Sequence, residues 1–194
     1  MLRDARHIGE WRYVAAGIIA ACVSLAVANP GTAAQTPQLQ DQRGHSFTLK
    51  SLRGEPLVVT FVSAHCTDAC PLINSQFAMA QREIARQKLR VRLLTITLDP
   101  EHDTPAAMRH LASEFRAEPR YWLVASGTIP NVRAVMRQFD VVAQRGRRGY
   151  ADIHTTFVYF IDAHGRLRKT ELASTNLGTQ LIVDLRQNWR VLSS

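Results

Sequence analysis

The sequence has few cysteines, and it contains no internal repeat and no low-complexity tract. Three cysteines in 194 residues are too few for a disulfide-stabilised scaffold. With 46% apolar residues, the chain has enough apolar side chains to build an ordinary hydrophobic core. Length and composition together predict one globular domain with a short appendage.

Long hydrophobic runs are also scarce, and one uncharged apolar run lies near the N-terminus. Val14–Ala28 carries no charge, but its length of about 15 residues is short for a membrane span, which needs roughly 20. Three arginines precede it: Arg3, Arg6 and Arg12. The small residues Thr32-Ala33-Ala34 follow it, as in a bacterial export signal. We therefore predict that residues 1–34 are a signal peptide or membrane anchor and that residues 35–194 form an exported, periplasmic domain.

Two alternatives for this N-terminal segment stay open. Trp11 and Tyr13 could lie at the membrane interface of an uncleaved signal anchor. The stretch Ile19-Ala20-Ala21-Cys22 resembles a lipoprotein processing site, although the apolar run continues past Cys22. Either alternative would attach the domain to the inner membrane.

Acidic residues are outnumbered by basic ones, which gives a net charge of +8 and a pI of about 10.1. A basic balance can indicate nucleic-acid binding, but an exported protein rarely meets nucleic acid. We therefore favour attraction to anionic lipid headgroups or to an acidic partner protein. The basic clusters are Arg82, Arg86, Lys88, Arg90 and Arg92, and then Arg145, Arg147 and Arg148. We expect a solvated face and a flexible loop there rather than defined binding patches.

The pattern of apolar residues predicts alternating strands and helices. Strands are expected around Leu39 and Phe47, and at Leu57–Ser63, Val91–Leu98, Tyr121–Ala125, Thr156–Ile161 and Leu167–Leu172. Helices are expected at Pro71–Lys88, Pro105–Phe115, Pro130–Phe139 and Asn176–Val191. This order is that of the thioredoxin fold with an inserted strand and helix. We therefore predict an α/β, thioredoxin-like fold with a central mixed sheet flanked by helices and an N-terminal β-hairpin extension.

Cys66 and Cys70 follow the strand Leu57–Ser63, where a thioredoxin-like fold places its functional site. A spacing of four predicts both sulfurs on one side of a helical turn, from which they can form a disulfide or hold one soft metal ion. The start of a helix is expected to lower the pKa of such a thiol. His154 precedes the strand Thr156–Ile161, on a loop expected to face the cysteines, and is therefore a candidate third ligand.

Three stretches carry a family resemblance. They are Phe61 with His65-Cys66-Thr67-Asp68-Ala69-Cys70-Pro71, then Thr97-Leu98-Asp99-Pro100-Glu101-His102-Asp103-Thr104-Pro105, and His154-Thr155-Thr156-Phe157 with Asp162 and Gly165 after it. Over roughly residues 38–192 the chain resembles the Sco/SenC family, membrane-tethered thioredoxin-like proteins that deliver copper to cytochrome c oxidase. Thr67 and Ile153 stand where the family usually has a proline and often has an acidic residue.

The resemblance implies a copper site for Cu(I), Cu(II) or both, made by Cys66, Cys70 and His154. It also implies a partner, either the copper-binding subunit of cytochrome c oxidase or another periplasmic copper protein.

Three functions are weighed for this site. The first is a copper metallochaperone, which we predict. The alternative is a periplasmic thiol–disulfide reductase that keeps the copper-ligand cysteines of the oxidase reduced, with Cys66 and Cys70 as its catalytic redox pair. A peroxiredoxin-like peroxidase is disfavoured because Ser63-Ala64-His65-Cys66 lacks the Thr-x-x-Cys pattern. His154 separates the first two, since a reductase does not need it and a three-ligand copper site does.

Overall fold

The computed structural model describes residues 36–67, 69–151, 156–173 and 179–183. The chain divides into two units, Met1–Ala34 and Gln35–Ser194, and all described residues belong to the second. The predicted signal or anchor at residues 1–34 therefore lies outside the described residues and stays a prediction. Among the helices of the described part, none is long and apolar enough to cross a membrane.

A five-stranded mixed sheet forms the centre of the described domain. Its strands are β3 (Leu57–Val62), β4 (Arg92–Thr97), β5 (Trp122–Ala125), β6 (Phe157–Ile161) and β7 (Leu167–Leu172), in the spatial order β5-β4-β3-β6-β7. β3, β4 and β5 run parallel, whereas β6 and β7 pair antiparallel. All six residues of the central strand β3 are buried, as its β-branched and aromatic residues predict.

The parallel pairing places the carboxyl ends of β3, β4 and β5 at one edge of the sheet. Cys66 follows β3 at this edge, which we call the cysteine edge. The loop after β4 lies beside the loop after β3, because the N–H of Leu98 donates to the carbonyl of Val62 at 2.9 Å. Residues distant in sequence therefore meet around the cysteines.

A short hairpin precedes the sheet and confirms the predicted N-terminal extension. In this hairpin β1 (Leu39–Gln40) pairs antiparallel with β2 (Ser46–Phe47). Its turn contains Gly44 with φ of 89°, a left-handed conformation that glycine adopts without steric cost. Gln40 also bridges to Ser126, which fastens the hairpin beside the end of β5.

Helices cover the two faces of the sheet. They are α1 (Ala69–Gln87), α2 (Pro105–Glu114) and α3 (Ile129–Gln138). Thr104 caps α2 through its hydroxyl, which accepts the N–H of Ala107, and Pro105 takes the first helical position. The last predicted helix, Asn176–Val191, is described only at residues 179–183, which are helical. The α/β architecture with a central mixed sheet is thus confirmed.

The alternation of side chains along β3 divides the core into two layers. Val58 and Val62 pack with the apolar faces of α1 and α2, whereas Val59 and Phe61 pack with α3. Cys70 belongs to the first layer and is 1% exposed. The hydrophobic core therefore anchors one of the two thiols.

Candidate thiol and metal site

The two cysteines lie in different local structures. Cys66 is half-buried in a turn in which its N–H donates to the carbonyl of Ser63 at 3.2 Å, and Cys70 is the second residue of α1. The expectation that one helical turn carries both thiols is therefore wrong for Cys66, which precedes the helix. The turn nevertheless brings the side chains together, because the thiols of Cys66 and Cys70 are hydrogen-bonded.

The pKa of the Cys70 thiol is raised far above its ordinary value. The hydrogen bond with Cys66 is the largest cause, and burial is the second. A backbone hydrogen bond with Ser63 lowers this pKa, and the negative charge of Asp103 raises it, so the net shift remains a large increase. The expected lowering of the pKa by the helix N-terminus is thus wrong for Cys70. At neutral pH, Cys70 keeps its proton until a metal ion or an oxidant removes it.

A buried carboxylate, Asp103, links the two loops at the cysteine edge. It is 2% exposed, and it accepts hydrogen bonds from the hydroxyl of Thr97 at 2.6 Å and from the N–H of Ala64 at 3.1 Å. Burial raises the pKa of Asp103 to about 6, although these two hydrogen bonds favour its charged form. Asp103 therefore holds the start of residues 63–67, which we call the cysteine loop, against the end of β4.

A second buried carboxylate, Asp99, organises the neighbouring loop. It is 2% exposed, and its Oδ2 accepts the N–H of Ala151 at 2.8 Å and lies 2.9 Å from Nδ1 of His102. Its own N–H donates to the hydroxyl of Thr97 at 3.0 Å. The ring of His102 is therefore held by a buried carboxylate, and it lies edge-on to the ring of Tyr150 with centroids 5.2 Å apart.

Arg148 and Tyr150 contact the cysteine loop from a distant part of the chain. Nη2 of Arg148 donates to the carbonyl of His65 at 2.8 Å and lies 3.4 Å from Oγ1 of Thr67. The ring of Tyr150 stacks on His65, with ring centroids 4.1 Å apart and planes 10° apart. We call Arg148 and Tyr150 the clasp. The expectation of a flexible, solvated loop is wrong for Arg148, whose guanidinium is bonded to the backbone next to Cys66.

The candidate third ligand, His154, lies outside the described residues, so its position opposite the cysteines stays a prediction. His65 is described, and its ring is stacked on Tyr150 with Nε2 3.9 Å from Oδ1 of Asp103. Within the described ranges, no three His, Cys, Asp or Glu side chains form a group that could hold a metal ion. The structure thus places Cys66 and Cys70 together and leaves the ligand role of His154 as a prediction.

Sequence reasoning missed the two aspartates and the clasp as parts of the site. Asp103 is a carboxylate in the loop after a buried strand on the cysteine edge, and that placement is a usable signal. The motif Asp103-Thr104-Pro105 also predicts a helix start, and this explanation of the motif is sufficient without assigning Asp103 a role at the site. No sequence signal marks Arg148 or Tyr150, because their contacts depend on the path of a long loop.

A buried thiol and a half-exposed thiol after the central strand of a mixed sheet define a thioredoxin-like dithiol protein. The SCO1/SenC family model matches residues 28–189, and the chain belongs to this family. An SCO2-like protein of Rickettsia conorii is 27% identical over 137 residues, which cover 68% of this chain and 65% of that relative. The chain therefore spans just under two thirds of that relative's length.

Solved structures share the fold. ScoI of Bradyrhizobium japonicum, with copper bound, is 30% identical, has a TM-score of 0.67, and is matched over 77% of this chain and 95% of that chain. BsSco, described with a disulfide switch as a member of the Sco family of cytochrome c oxidase assembly proteins, is 21% identical, with a TM-score of 0.65 over 77% of this chain and 88% of that chain. At that identity the likeness to BsSco concerns the fold alone.

Proposed function

We propose that this protein binds one copper ion through Cys66, Cys70 and His154 and delivers it to the copper-binding subunit of cytochrome c oxidase. The observation that carries this proposal is the hydrogen-bonded thiol pair at the cysteine edge. Family membership and the copper bound to the ScoI relative support it. Two thiolates are soft ligands suited to Cu(I), and an imidazole extends the donor set to Cu(II).

One thiol is partly exposed and the other is buried, and this difference suits a site that a copper ion must enter and later leave. Cys66 is half-exposed and offers a point of access, whereas Cys70 is fixed in the core as the second residue of α1. Copper binding has to displace the proton of Cys70, whose pKa is raised. The apparent affinity for copper is therefore expected to increase with pH.

A transfer experiment tests delivery. Copper-loaded protein is mixed without oxygen with the metal-free copper-binding domain of the oxidase subunit, and the copper content of both is measured after separation. Copper should move to the oxidase domain from the wild type. Retention of all copper by the wild type under conditions in which free copper loads the oxidase domain would contradict delivery.

One observation favours a second candidate, a thiol–disulfide reductase. A half-exposed thiol next to a buried one suits a reaction in which Cys66 attacks a disulfide of the oxidase subunit and Cys70 resolves the mixed disulfide. The dithiol would then lose two electrons and two protons, and the target would become a dithiol. His154→Ala discriminates, because a reductase keeps its rate in this variant while a three-ligand copper site weakens, most of all for Cu(II).

We further propose that the domain lies in the periplasm, either attached to the inner membrane at residues 14–28 or released after residue 34. The arginines before the uncharged run support this orientation, since positive residues stay on the cytoplasmic side. A phosphatase fused after Gly54 should therefore be active. An inactive phosphatase beside an active cytoplasmic reporter at the same position would contradict export.

A further inference from the structure

A groove of about 470 Å³ lies at the edge of the sheet opposite the cysteine edge. It is bounded by the end of α1 and by the residues at which the chain approaches β3, β4 and β5. Its charged lining consists of Lys88, Arg90, Arg92, Arg120 and Glu55. Four positive charges thus face one negative charge, and the cluster brings together three segments of chain, at residue 55, residues 88–92 and residue 120.

The groove keeps most of its positive charge. Glu55 pairs with Arg92 at 3.0 Å and is the one acidic side chain in the described lining. Lys88, Arg90 and Arg120 are exposed and form no ion pair with a described residue. Three cationic side chains are therefore available to an anionic surface.

Arg92 forms part of the wall of the groove. Its Nη2 is bonded to Glu55, and its Nε is buried and has no hydrogen-bond partner among the described residues. Because this Nε is closed to solvent, the contacts with an anionic surface fall to the exposed cations of the groove. The guanidinium of Arg120 lies 5.4 Å from the ring centroid of Tyr121, which keeps this cation at the rim.

The backbone fixes the direction of the basic segment. Lys88 has φ of 55°, and the N–H of Leu89 donates to the carbonyl of Ile84 at 3.0 Å, which ends α1 sharply. The chain then passes Arg90 and enters β4 at Arg92. Lys88 and Arg90 therefore lie in a four-residue connection, residues 88–91, whose two ends are fixed by α1 and β4.

We propose that this groove docks the domain on an anionic lipid surface, with phosphodiester headgroups as the groups it contacts. The chain is predicted to be held at the inner membrane by residues 14–28, and the eight residues from there to Thr36 reach at most about 28 Å. This tether keeps the domain within reach of the leaflet, and each lysine or arginine of the groove that meets a negatively charged leaflet adds attraction. Since the groove and the thiols lie at opposite edges, docking leaves Cys66 facing the aqueous space.

The lysines of the chain make this surface measurable. There are three: Lys50, Lys88 and Lys169. Lys169 lies on β7, ion-paired with Glu171, and serves as an internal reference. The full-length chain is placed in nanodiscs of phosphatidylcholine alone or with phosphatidylglycerol, and a water-soluble amine reagent labels it. Mass spectrometry should show the labelling of Lys88 relative to Lys169 falling about fivefold in the anionic discs, the scale of one basic residue at such a surface. Salt of about 0.5 M should restore it.

Matched variants make the test specific to the groove. Arg90→Gln with Arg120→Gln should remove the protection of Lys88. Arg109→Gln with Arg147→Gln removes the same charge from exposed positions outside the groove lining and should keep the protection. Copper binding should be unchanged in both, so failure here is distinguishable from failure of the proposed function.

Three results would overturn the proposal. Equal labelling of Lys88 in both kinds of disc would show that the lipid surface does not contact the groove. Protection by inorganic phosphate in phosphatidylcholine discs would make the groove a site for small anions. Protection by a glutamate-rich peptide, without protection by anionic lipid, would assign it to an acidic polypeptide.

Discussion

Replacing Asp103 with asparagine should change how the stability of the protein depends on pH. The carboxylate is 2% exposed and accepts hydrogen bonds from Thr97 and Ala64. Asparagine has nearly the same shape: its oxygen can accept the N–H of Ala64, and its amide can donate to the hydroxyl of Thr97. The variant should therefore fold, with the titration of this group removed.

The size of the effect follows from the pKa. Burial raises the pKa of Asp103 from its ordinary 3.8 to about 6, and one pKa unit corresponds to about 1.4 kcal/mol. The folded protein holds this proton more tightly than the unfolded chain does. The stabilisation from protonated Asp103 is therefore fully present below pH 3.8 and is lost as the pH rises through about 6. The loss amounts to ~3 kcal/mol of unfolding free energy at neutral pH.

Urea unfolding of both proteins from about pH 4 to about pH 7 measures this loss. The free energy of unfolding of the wild type should fall by ~2 kcal/mol relative to Asp103→Asn over that range, because the unfolded carboxyl is already partly ionised at pH 4. Glu114→Gln, which alters an exposed carboxyl on α2, is the control and should follow the wild type. Parallel pH profiles for wild type and Asp103→Asn would refute the reasoning. His65 and Asp99 also act on Asp103, so a smaller difference of the same sign would report their coupling.

Three further predictions concern the cysteine loop. Arg148→Ala removes a hydrogen bond worth about 1 kcal/mol, so hydrogen exchange at the Cys66 N–H should become about fivefold faster. Arg147→Ala should leave this rate unchanged. Equal rates in the wild type and Arg148→Ala would show that Arg148 does not stabilise the cysteine loop. Iodoacetamide should modify the half-exposed Cys66 before the buried Cys70, and peptide mapping that finds Cys70 modified first would contradict the assigned burial. Mild oxidation should join Cys66 and Cys70 in a disulfide, so the protein should lose two hydrogens and both thiols should resist alkylation. Copper binding should then be lost, because the disulfide consumes both thiolate ligands. An unchanged mass with both thiols still alkylatable would contradict the assignment of a redox pair.

The sheet and its helices could be predicted because local patterns determine them. The run Leu57–Val62 consists of residues suited to a strand buried on both faces, and such a pattern does not depend on distant residues. The start of α2 was equally predictable, since Thr104 and Pro105 carry their signal in their own side chains. The position of the cysteines after the central strand then follows from the order of elements.

The surroundings of the thiols could not be predicted in the same way. The raised pKa of Cys70 results from its contact with Cys66 and from burial, both of which outweigh the favourable helix terminus. The contact of Arg148 with the carbonyl of His65 joins residues 83 apart in sequence. Both contacts depend on how the loops pack against one another at the edge of the sheet. The spacing of residues along the chain does not predict which distant loop residues come into contact.

The central claim is that the thiol pair binds copper, and the copper content of the purified protein tests it most directly. Full-length wild type and variants are reduced, loaded with Cu(I) without oxygen, freed of excess metal and measured for copper per chain. We predict one copper ion per chain for the wild type and for Cys22→Ser, which removes the cysteine outside the pair. We predict almost none for Cys66→Ser with Cys70→Ser. Wild-type copper content in that double variant would contradict the account.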